Sequence, residues 1–596
     1  MIVGIDLGTT NSLIASLDAG MPIVLADREG RRLTPSAVWA KPDAAPVIGR
    51  AALRARAVDP ANVLVSTKRL MGRRGGETET DGLTYEVTGR TGEPAQIVAG
   101  GREWLPEEVA AEILKHLKAE AEAVLEEPID RAVITVPAYF HDGQRNATKR
   151  AGELAGLQVE RIVNEPTAAA LAYGLDRLGE QSKIAVYDFG GGTFDLSLLQ
   201  LANGVFEVAA TNGNTRLGGD DLDAAFVSHL QQRLAKEHQI NEVTWQDGIS
   251  QARLQDTARD LRERLSDVDE SLLRLPFLAE GAGVELSVTR AELESVCRPV
   301  VERTRAHGMR ALQDAGWQTS DLDAVILVGG TTRMPLVRQL VGDWFEREPD
   351  ARQNPDEAVA AGAAIQAGVL DGRMQDVVLL DVTPLSLGIE TFGGLMNVII
   401  PRNSTIPIKA GELFTNAVAN QTAMQIRVLQ GERELAMDNW PLGEFTIEFP
   451  PAPRGQARVG VQFTLDANGI LQVLVRDVHS GEEKVVEITS AIEISDEQVE
   501  SMLEDSLEHA FEDMSERIFR ESKLKAEEML PAVEAGLQTC GQVLTREERA
   551  EIEAALVEVQ TAVKEHAANR LKAAVNQLDE ATQNLASIML DRVMKD

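Results

Sequence analysis

The chain has 596 residues, of which 44% are apolar. This length predicts about four domains of roughly 150 residues each. The formal net charge of −35 argues against a nucleic-acid backbone or an anionic membrane as a partner. Two cysteines without metal-ligand spacing, Cys297 and Cys540, exclude a disulfide framework and indicate a reducing compartment. We expect neither a secretory leader nor a membrane span, and a cytoplasmic location.

The first predicted element is a β-hairpin. The apolar run at residues 2–5 leads into residues 6–11, DLGTTN, and a second apolar run follows. Glycine lets backbone N–H groups close around a phosphate, and the threonine hydroxyls add donors. The carboxylate of Asp6 cannot neutralise phosphate, so it suggests bound Mg²⁺ or its water shell.

The same order of residue types returns far downstream. The apolar run 184–187 leads into residues 188–195, DFGGGTFD, which are again acid, glycine, hydroxyl and apolar. Neither copy is a Walker A loop, since no Gly-Lys-Ser/Thr follows, and neither is a dinucleotide fingerprint, since a strand follows the turn. A single copy would fit an ordinary hairpin, whereas two predict similar lobes that grip one polyphosphate.

Residues up to about 370 alternate between predicted strands and helices. A strand at 132–136 ends at Pro137, a helix is predicted over about 144–157, and another strand covers 322–328. This alternation predicts α/β architecture. The glycine pair at 329–330 suits either close approach of a flat ligand or a plain strand-to-helix turn.

The pattern changes twice beyond residue 370. Residues 377–380 are four consecutive apolar residues, which is unusual for an exposed tether, so a docking strand and a loose tether both remain open. Period-two alternation over 383–490 predicts an all-β sandwich. A helix start at 495–498 opens a region rich in Glu, Ala, Leu and Lys, and we expect Pro531 and Gly541 to divide it into several helices.

Together these segments resemble the seventy-kilodalton heat-shock chaperone family, of the bacterial DnaK and HscA type. The strongest parts are residues 4–12, 164–170, 188–195, 328–333 and 377–381. The resemblance implies a multidomain fold, in which an α/β actin-like (ribonuclease-H-like) two-lobed ATPase domain precedes an all-β sandwich and an α-helical lid. The implied boundaries are 1–371 for the nucleotide-binding domain, 372–382 for a hydrophobic interdomain linker, 383–492 for the peptide-binding sandwich and 493–596 for the lid.

The resemblance also implies an ATPase that binds ATP or ADP with Mg²⁺. Asp6 and Asp188 would hold the metal through water, and bound K⁺ is a family expectation that no motif supports. Lys68 would supply charge at the γ-phosphate and Glu165 would help to place the attacking water, although alone they fit a surface lysine and a helix-start carboxylate. The implied catalytic residues are Lys68, Glu165, Asp188, Thr193 and Asp6. The implied nucleotide contacts are Gly8, Thr9, Thr10, Asn11, Gly190, Gly191, Gly192, Thr193, Gly218, Gly219, Asp220, Arg262, Ser266, Gly329, Gly330, Thr331, Arg333 and Asp356.

Two further sets of residues follow from the same resemblance. The peptide channel would use backbone hydrogen bonds and apolar pockets, but without the resemblance these residues would be core. Its implied residues are Ile389, Phe392, Leu395, Phe414, Ala417, Met424 and Ile426. The allosteric residues implied between nucleotide, linker and lid are Pro137, Arg145, Arg161, Leu379, Leu380, Asp381 and Arg454.

The chain departs from the family pattern at two places. Phe392 stands where the DnaK type has a methionine in the arch over the peptide, which alters side-chain preference. Arg259 replaces a glutamate of the adenine clamp, while Arg262 and Ser266 still suit that site. Arg259 and the short turn at 200–205 resemble the HscA type, whereas residues 436–439 and 451–455 resemble DnaK.

We therefore hypothesise an ATP-dependent chaperone whose nucleotide state controls capture and release of apolar client segments. Its expected partners are unfolded or client polypeptides, a J-domain co-chaperone, and either a nucleotide exchange factor or an iron–sulfur scaffold protein; a monomer is expected. An HscA-type specialist for iron–sulfur cluster maturation is the alternative within the family. An actin-fold small-molecule kinase and an actin-like filament protein are alternatives of other classes, and both leave the last two hundred or so residues unexplained.

Overall fold

The computed structural model describes residues 1–73, 82–90, 93–177, 180–279, 282–350, 352–374, 377–481, 483–487 and 510–593. The chain divides into two compact units. The first unit contains residues 1–386, 400–414 and 458–497, and the second contains 387–399, 415–457 and 498–596. In the described ranges, no helix combines the length and apolarity needed to cross a membrane.

The first lobe of the first unit is built on a six-stranded sheet of order β12-β11-β1-β2-β3, with β4 paired to β2. The strands are β1 Ile2–Asp6, β2 Asn11–Asp18, β3 Met21–Val24, β4 Thr34–Pro35, β5 Val38–Trp39, β6 Val47–Ile48, β7 Val63–Leu64, β8 Glu86–Thr88, β9 Gln96–Ala99, β10 Arg102–Trp104, β11 Arg131–Val136 and β12 Gln158–Asn164. The helices are α1 Arg50–Ala55, α2 Pro106–Leu125, α3 Asp142–Leu154 and α4 Glu165–Gly174. Burial of apolar side chains on β1, β11 and α2 forms the core of this lobe.

The second lobe repeats the arrangement on a sheet of order β18-β13-β14-β15-β19-β22. Its strands are β13 Gln181–Phe189, β14 Phe194–Ala202, β15 Val205–Asn214, β16 Glu270–Ala279, β17 Ala282–Thr289, β18 Ala324–Val328, β19 Val378–Val382 and, from the region after the linker, β22 Thr405–Ile406. Its helices are α5 Gly219–His238, α6 Gly248–Asp267, α7 Arg290–Ala315, α8 Pro335–Phe345 and α9 Ala358–Leu370. The core packs Phe189, Phe194 and Phe226 against α6, α7 and α8. The two-lobed α/β prediction is confirmed.

The β-rich region after the linker forms two four-stranded antiparallel sheets. The strands of these two sheets are β20 Leu387–Thr391, β21 Leu395–Ile400, β23 Ile408–Phe414, β24 Gln421–Gln430, β25 Trp440–Ala452, β26 Val459–Leu465, β27 Leu471–Asp477 and β28 Glu483–Glu487. The sheet β23-β26-β27-β28 belongs to the first unit and the sheet β21-β20-β24-β25 to the second. The alternating buried and exposed residues of β26 and β27 confirm the period-two prediction.

Helices complete the second unit. They are α10 Ala510–Cys540, α11 Arg546–Lys564, α12 Ala568–Ala581 and α13 Gln583–Val593. The predicted break at Pro531 is wrong, because α10 continues through it and ends just before Gly541. Proline removes one intrahelical hydrogen bond. Buried Phe519, Ala526 and Val533 on either side of it pack with α11 and α12 and offset that loss. The predicted helix start at 495–498 lies outside the described residues.

Other sequence-based element bounds are close to those observed. The strand predicted at 132–136 is β11, and that at 322–328 starts two residues later because a 3-10 helix, Thr319–Asp321, precedes it. The helix predicted over 144–157 is α3, which ends earlier since Gly156 adopts φ +72°. The remaining 3-10 helices are Pro60–Asn62, Thr67–Leu70, Leu175–Arg177, Glu242–Gln246, Gly330–Arg333 and Ala436–Asp438.

Candidate active site

Two glycine hairpins, one from each lobe, face each other. The first joins antiparallel β1 and β2, and the second joins antiparallel β13 and β14, as predicted. A Cβ atom added at Gly191 would lie 2.0 Å from Thr10 Oγ1, and one at Gly192 would lie 2.7 Å from the Thr9 side chain. Only glycine permits this approach. The two turns therefore form a continuous rim across the cleft.

A cavity of about 670 Å³ opens between the hairpins. All five predicted catalytic residues line it, and so do all the predicted nucleotide contacts except Gly192 and Gly218. Those two glycines instead lie where the second hairpin meets the start of α5, since a Cβ at Gly218 would lie 2.6 Å from the carbonyl oxygen of Gly191. The backbone N–H of Asp220 donates to that same oxygen at 2.8 Å. Spacing in the sequence does not distinguish these supporting glycines from those on the cavity wall.

The glycine pair at 329–330 also lies on the cavity wall. Gly329 has φ +81°, and a Cβ there would lie 2.4 Å from the carbonyl oxygen of Phe189. The next residue but one, Thr331, donates its hydroxyl to the carbonyl oxygen of Gly190 at 2.8 Å. The glycine pair therefore serves close packing against the second hairpin, and its position on the cavity wall follows from that packing.

A buried lysine–glutamate pair lies at the hairpin end of the cavity. Lys68 is in the 3-10 helix Thr67–Leu70, and its Nζ donates to Oε1 of Glu165 at 2.5 Å. Glu165 is the first residue of α4, and both side chains are buried. A buried charge of either sign requires a partner. This contact gives each of the two buried side chains a polar partner.

The carboxylates around this pair outnumber the cation. Burial, followed by the charge of Glu165, raises the pKa of Asp6 to about 7 and that of Asp195 to about 8. The same two causes raise the pKa of Asp188 well above its ordinary value. Desolvation and like charge both disfavour ionisation. The site therefore has a deficit of positive charge.

This deficit suits a divalent cation. Oδ2 of Asp188 is buried and has no hydrogen-bond partner among the described residues, and its side chain lines the cavity. Oxygen ligands are those that Mg²⁺ prefers, and it commonly keeps several waters. Within the described ranges, no group of three or more His, Cys, Asp or Glu side chains is arranged to ligate a metal directly. The donor set thus fits a hydrated ion beside Asp6 and Asp188.

One face of α6 lines the opposite part of the cavity. Its cavity residues are Arg259, Arg262, Glu263, Ser266 and Asp267, which follow helical spacing. Of these, the sequence predicted Arg262 and Ser266, noted Arg259 as a departure, and missed Glu263 and Asp267. The period of 3 and 4 residues was available, but charged stripes on helices usually face solvent. Arg338 of α8 and Leu33 were also missed, and no motif marks them.

The guanidinium groups on α6 are held in place by α5. Arg259 donates from Nε to Asp223 Oδ2 at 2.9 Å, and Arg262 donates from Nε to Asp223 Oδ1 at 2.6 Å. These two arginines lower the pKa of Asp223 despite its burial. Position 259 therefore carries a paired guanidinium on the cavity wall, which is how the departure from the family pattern is accommodated.

The linker segment lies in the second lobe as a strand. β19 pairs in parallel with β15, with Leu379 opposite Phe206, and antiparallel with β22. Leu379 and Asp381 are buried, and Leu380 is half-buried. Of the two interpretations of the sequence, the structure shows the docked strand. Residues 375–376 lie outside the described part of the chain.

Polar contacts join the linker to the start of α4 and to α3. Asp381 Oδ2 accepts from the hydroxyl of Thr167 at 3.2 Å, within the helical turn that begins at Glu165. Buried Arg145 donates to Oδ1 of Asn164 at 2.6 Å and to the carbonyl oxygen of Asn468 in the turn between β26 and β27. The predicted residues Arg145 and Asp381 thus lie in one buried polar cluster.

The other predicted allosteric residues of the first unit lie nearby. Pro137 is buried directly after β11, and its carbonyl accepts from the Phe140 N–H at 3.1 Å. Arg161 lies on β12, next to Ile162, whose N–H donates to Oδ1 of Asn468 at 3.0 Å. Burial lowers the pKa of Arg161, and the charges of Asp381 and Asp466 act in the opposite direction. The geometry places Arg161 next to the β26–β27 turn.

The predicted peptide-channel residues are divided between buried and exposed positions. Ile389, Leu395 and Ile426 are buried within the second unit, whereas Phe392 is 61% exposed there. Ala417 and Met424 of that unit are half-buried, as is Phe414 of the first unit. The three buried residues therefore also fit the alternative interpretation, in which they belong to the hydrophobic core.

Helix α10 contacts the loops that follow β20 and β24. Arg433 forms a two-point ion pair with Asp513, with distances of 2.5 and 2.9 Å, and Arg520 donates to the carbonyl oxygen of Gly393 at 2.8 Å. Arg454, the predicted latch residue, pairs with Glu528 of α10. The helix thus makes polar contacts on both sides of the residue Leu524, which packs on Gly393.

The chain with this geometry also matches a known protein family. A family model described as Hsp70 protein matches residues 2–591, which is essentially the whole chain. The match includes the hairpins, the linker, the β-rich region and the C-terminal helices. The chain therefore belongs to the seventy-kilodalton heat-shock family, whose members are molecular chaperones that bind and hydrolyse ATP.

Proposed function

We propose that this chaperone hydrolyses ATP between the two glycine hairpins and uses the nucleotide state to control binding of extended apolar peptide segments. One observation carries the proposal. The first turn of α4 contains Glu165, which contacts Lys68, and Thr167, which contacts the linker residue Asp381. A shift at the phosphate end of the cavity therefore acts on the same helical turn that holds the linker.

The residues present can promote phosphoryl transfer by position and charge. Backbone N–H groups and hydroxyls of the two hairpins would hold the phosphates, and Lys68 would place a positive charge beside the γ-phosphate. On arrival of a triphosphate, Lys68 exchanges part of its contact with Glu165 for the substrate, and Glu165 becomes available to orient a water molecule. Mg²⁺, held through water by Asp6 and Asp188, would supply charge neutralisation.

Coupling to the peptide site would run through the linker. Asp381 and Arg145 are buried and hydrogen-bonded, so separating them from Thr167 and Asn164 breaks buried hydrogen bonds at a cost in free energy. Such a cluster favours two discrete arrangements over intermediate ones. If ATP weakens peptide binding, peptide must weaken ATP binding by the same free energy or promote its loss through hydrolysis.

The direct test is the dissociation rate of a bound apolar peptide, measured by fluorescence anisotropy with ATP and with ADP. We expect faster dissociation with ATP, and equal rates would remove the coupling. Asp381→Asn should reduce the difference, while Val378→Ser on the same strand, at an exposed position, serves as the matched control. ATP hydrolysis is followed in parallel, so a failure of coupling is distinguished from a failure of catalysis.

The client class needs a separate experiment. The paired Arg259 on the cavity wall does not distinguish the general chaperone from the iron–sulfur specialist. Stimulation of ATP hydrolysis by a J-domain protein with a scaffold-derived peptide supports the specialist, and stimulation by a generic Ile/Leu-rich peptide supports the general chaperone. Phosphate transfer to a small metabolite above the rate of release to water would instead revive the kinase hypothesis.

A further inference from the structure

A polar bridge crosses the cleft beside the cavity and involves residues outside the predicted catalytic set. Arg69 follows Lys68 in the 3-10 helix Thr67–Leu70 of the first lobe. Its Nη2 donates to Oδ2 of Asp221 on α5 at 2.5 Å and to the carbonyl oxygen of Gly192 in the second hairpin at 2.9 Å. The guanidinium therefore joins the helix that carries Lys68 to two elements of the second lobe.

A second contact reinforces the bridge from the other end of the 3-10 helix. Ser66 is its N-terminal flanking residue and adopts φ +54°, a left-handed conformation that costs free energy for a non-glycine residue. Its hydroxyl donates to Oδ2 of Asp220 at 2.8 Å. Lys68 thus lies between two residues that are both anchored to the first turn of α5.

The bridge continues to the far part of the cavity. Oδ1 of Asp220 accepts from Nη2 of Arg259 at 2.7 Å, and Asp223 holds the Nε of Arg259. The first turn of α5 is therefore joined both to the helix of Lys68 and to the α6 wall. The N–H of Gly218 also donates to Oδ2 of Asp221 at 2.7 Å, which fixes the carboxylate that receives Arg69.

We propose that Asp221 and Arg69, supported by Asp220 and Ser66, are positioning residues that hold Lys68 at the phosphate end of the cavity. This inference rests on the proposed ATP hydrolysis. The contacts span elements of the two lobes, so they form only when the cleft is closed. Lys68 is then fixed in the closed state, and its charge is withdrawn from the phosphate when the cleft opens.

The experiment compares single-turnover hydrolysis with nucleotide affinity. Asp221→Asn keeps an acceptor for the Gly218 N–H and removes the charge that pairs with Arg69. We expect hydrolysis to fall about 10- to 100-fold, as for a misplaced catalytic group, while the Kd for ADP stays within about twofold, because uniform binding is not lost. Arg69→Lys should retain more activity than Arg69→Ala. Glu237→Gln, which removes an exposed ion pair with Arg233 on the same helix, is the control.

A second measurement does not depend on hydrolysis. Lys68 is buried, so its acylation by an amine-reactive reagent should be slow and should accelerate in Asp221→Asn, while exposed Lys115 keeps its rate. Wild-type hydrolysis and wild-type acylation of Lys68 in Asp221→Asn would overturn the inference, as would a parallel loss of affinity and rate. If the wild type does not hydrolyse ATP, the proposed function fails, and the acylation result still decides whether the bridge holds Lys68.

Discussion

The two glycine hairpins have the same sequence pattern but different surroundings. The first presents the side chains of Thr9 and Thr10 towards its partner. The second presents the backbone of three glycines. Their carbonyl groups at 190–192 accept hydrogen bonds from Thr331, from the first turn of α5 and from Arg69. Two copies of one motif therefore differ in role: the first would supply hydroxyl donors to the proposed nucleotide, whereas carbonyl groups of the second accept the hydrogen bonds that join the elements around the cleft.

The largest expected effect comes from the residue that lies between the hairpins. Lys68→Ala should reduce the single-turnover rate of ATP hydrolysis by about 10²- to 10³-fold, the usual effect of removing one preorganised electrostatic group. Nucleotide affinity should change much less, since both hairpins remain. Rapid-quench kinetics together with calorimetric titration of ADP measures both quantities. Comparable losses in rate and affinity would show that Lys68 is a binding group only.

Replacement of glycines in the second hairpin tests the close approach. Gly191→Ala places a Cβ 2.0 Å from Thr10 Oγ1, whereas Gly190→Ala meets only ordinary contacts at 3.6 Å. Overpacking typically costs about 1–3 kcal/mol, so Gly191→Ala should weaken ADP binding roughly 5- to 150-fold. Gly190→Ala serves as the matched control and should bind within a few-fold of the wild type. Equal affinities for the two variants would contradict the facing geometry.

The hairpins also differ in acidity, because the second carries an additional buried acid, Asp195, with a pKa of about 8. Folding raises the pKa of this group and of Asp6, so the nucleotide-free folded state binds protons that the unfolded chain releases. The free energy of unfolding should therefore fall as the pH rises from about 4 to about 8. Urea unfolding across this range, repeated with Asp195→Asn, measures the slope. A slope that Asp195→Asn leaves unchanged would exclude this carboxyl group as its source.

Magnesium nucleotide should oppose that destabilisation. A cation beside these carboxylates favours their ionised forms, so binding releases protons. Below the pKa, each released proton makes the affinity rise by up to about tenfold for every unit by which the pH increases. Calorimetry in buffers of different ionisation enthalpy measures the number of protons released. Uptake of protons on binding would contradict the assignment of the acids to the metal side of the cavity.

The smallest expected effect concerns one hydrogen bond at each hairpin. The carbonyl oxygen of Gly8 accepts from Ser36 Oγ at 2.7 Å, and that of Gly190 accepts from Thr331 Oγ1 at 2.8 Å and from the Gly219 N–H at 3.0 Å. Ser36→Ala and Thr331→Val should each cost about 0.5–1.5 kcal/mol of unfolding free energy. The cost should be lower for Thr331→Val because Gly190 keeps a donor. Urea titration measures both costs. A larger loss of unfolding free energy in Thr331→Val than in Ser36→Ala would show that the second hairpin depends more on its hydroxyl contact.

The sequence was informative wherever the chemistry is local. Acid, glycine and threonine in fixed order after an apolar run required a turn with exposed backbone, and both hairpins follow from that pattern. The other predicted cavity residues, such as Lys68 and Arg262, came from the resemblance to the family. The linker strand was open to two interpretations, because four apolar residues do not show what covers them. Its pairing with β15 settled the question for the described residues.

The remainder depends on contacts that no local pattern contains. Arg69 and Asp221 are 152 positions apart, and each alone is an ordinary charged residue near a turn. Glu263 and Asp267 have helical spacing, but a charged stripe does not show whether it faces water or a cavity. Pro531 was expected to end a helix, because the local cost is visible in the sequence and the packing of α10 against α11 and α12 is not.

The central claim is that closure of the two hairpins over a magnesium nucleotide controls peptide binding elsewhere in the chain. The most direct measurement is ATP-induced release of a labelled apolar peptide from Asp6→Asn and Thr193→Ala, one variant for each hairpin, under conditions in which both still bind ATP. We predict that both variants retain the peptide at the rate seen with ADP, whereas the wild type releases it faster with ATP. Release at the wild-type rate from either variant would contradict the claim.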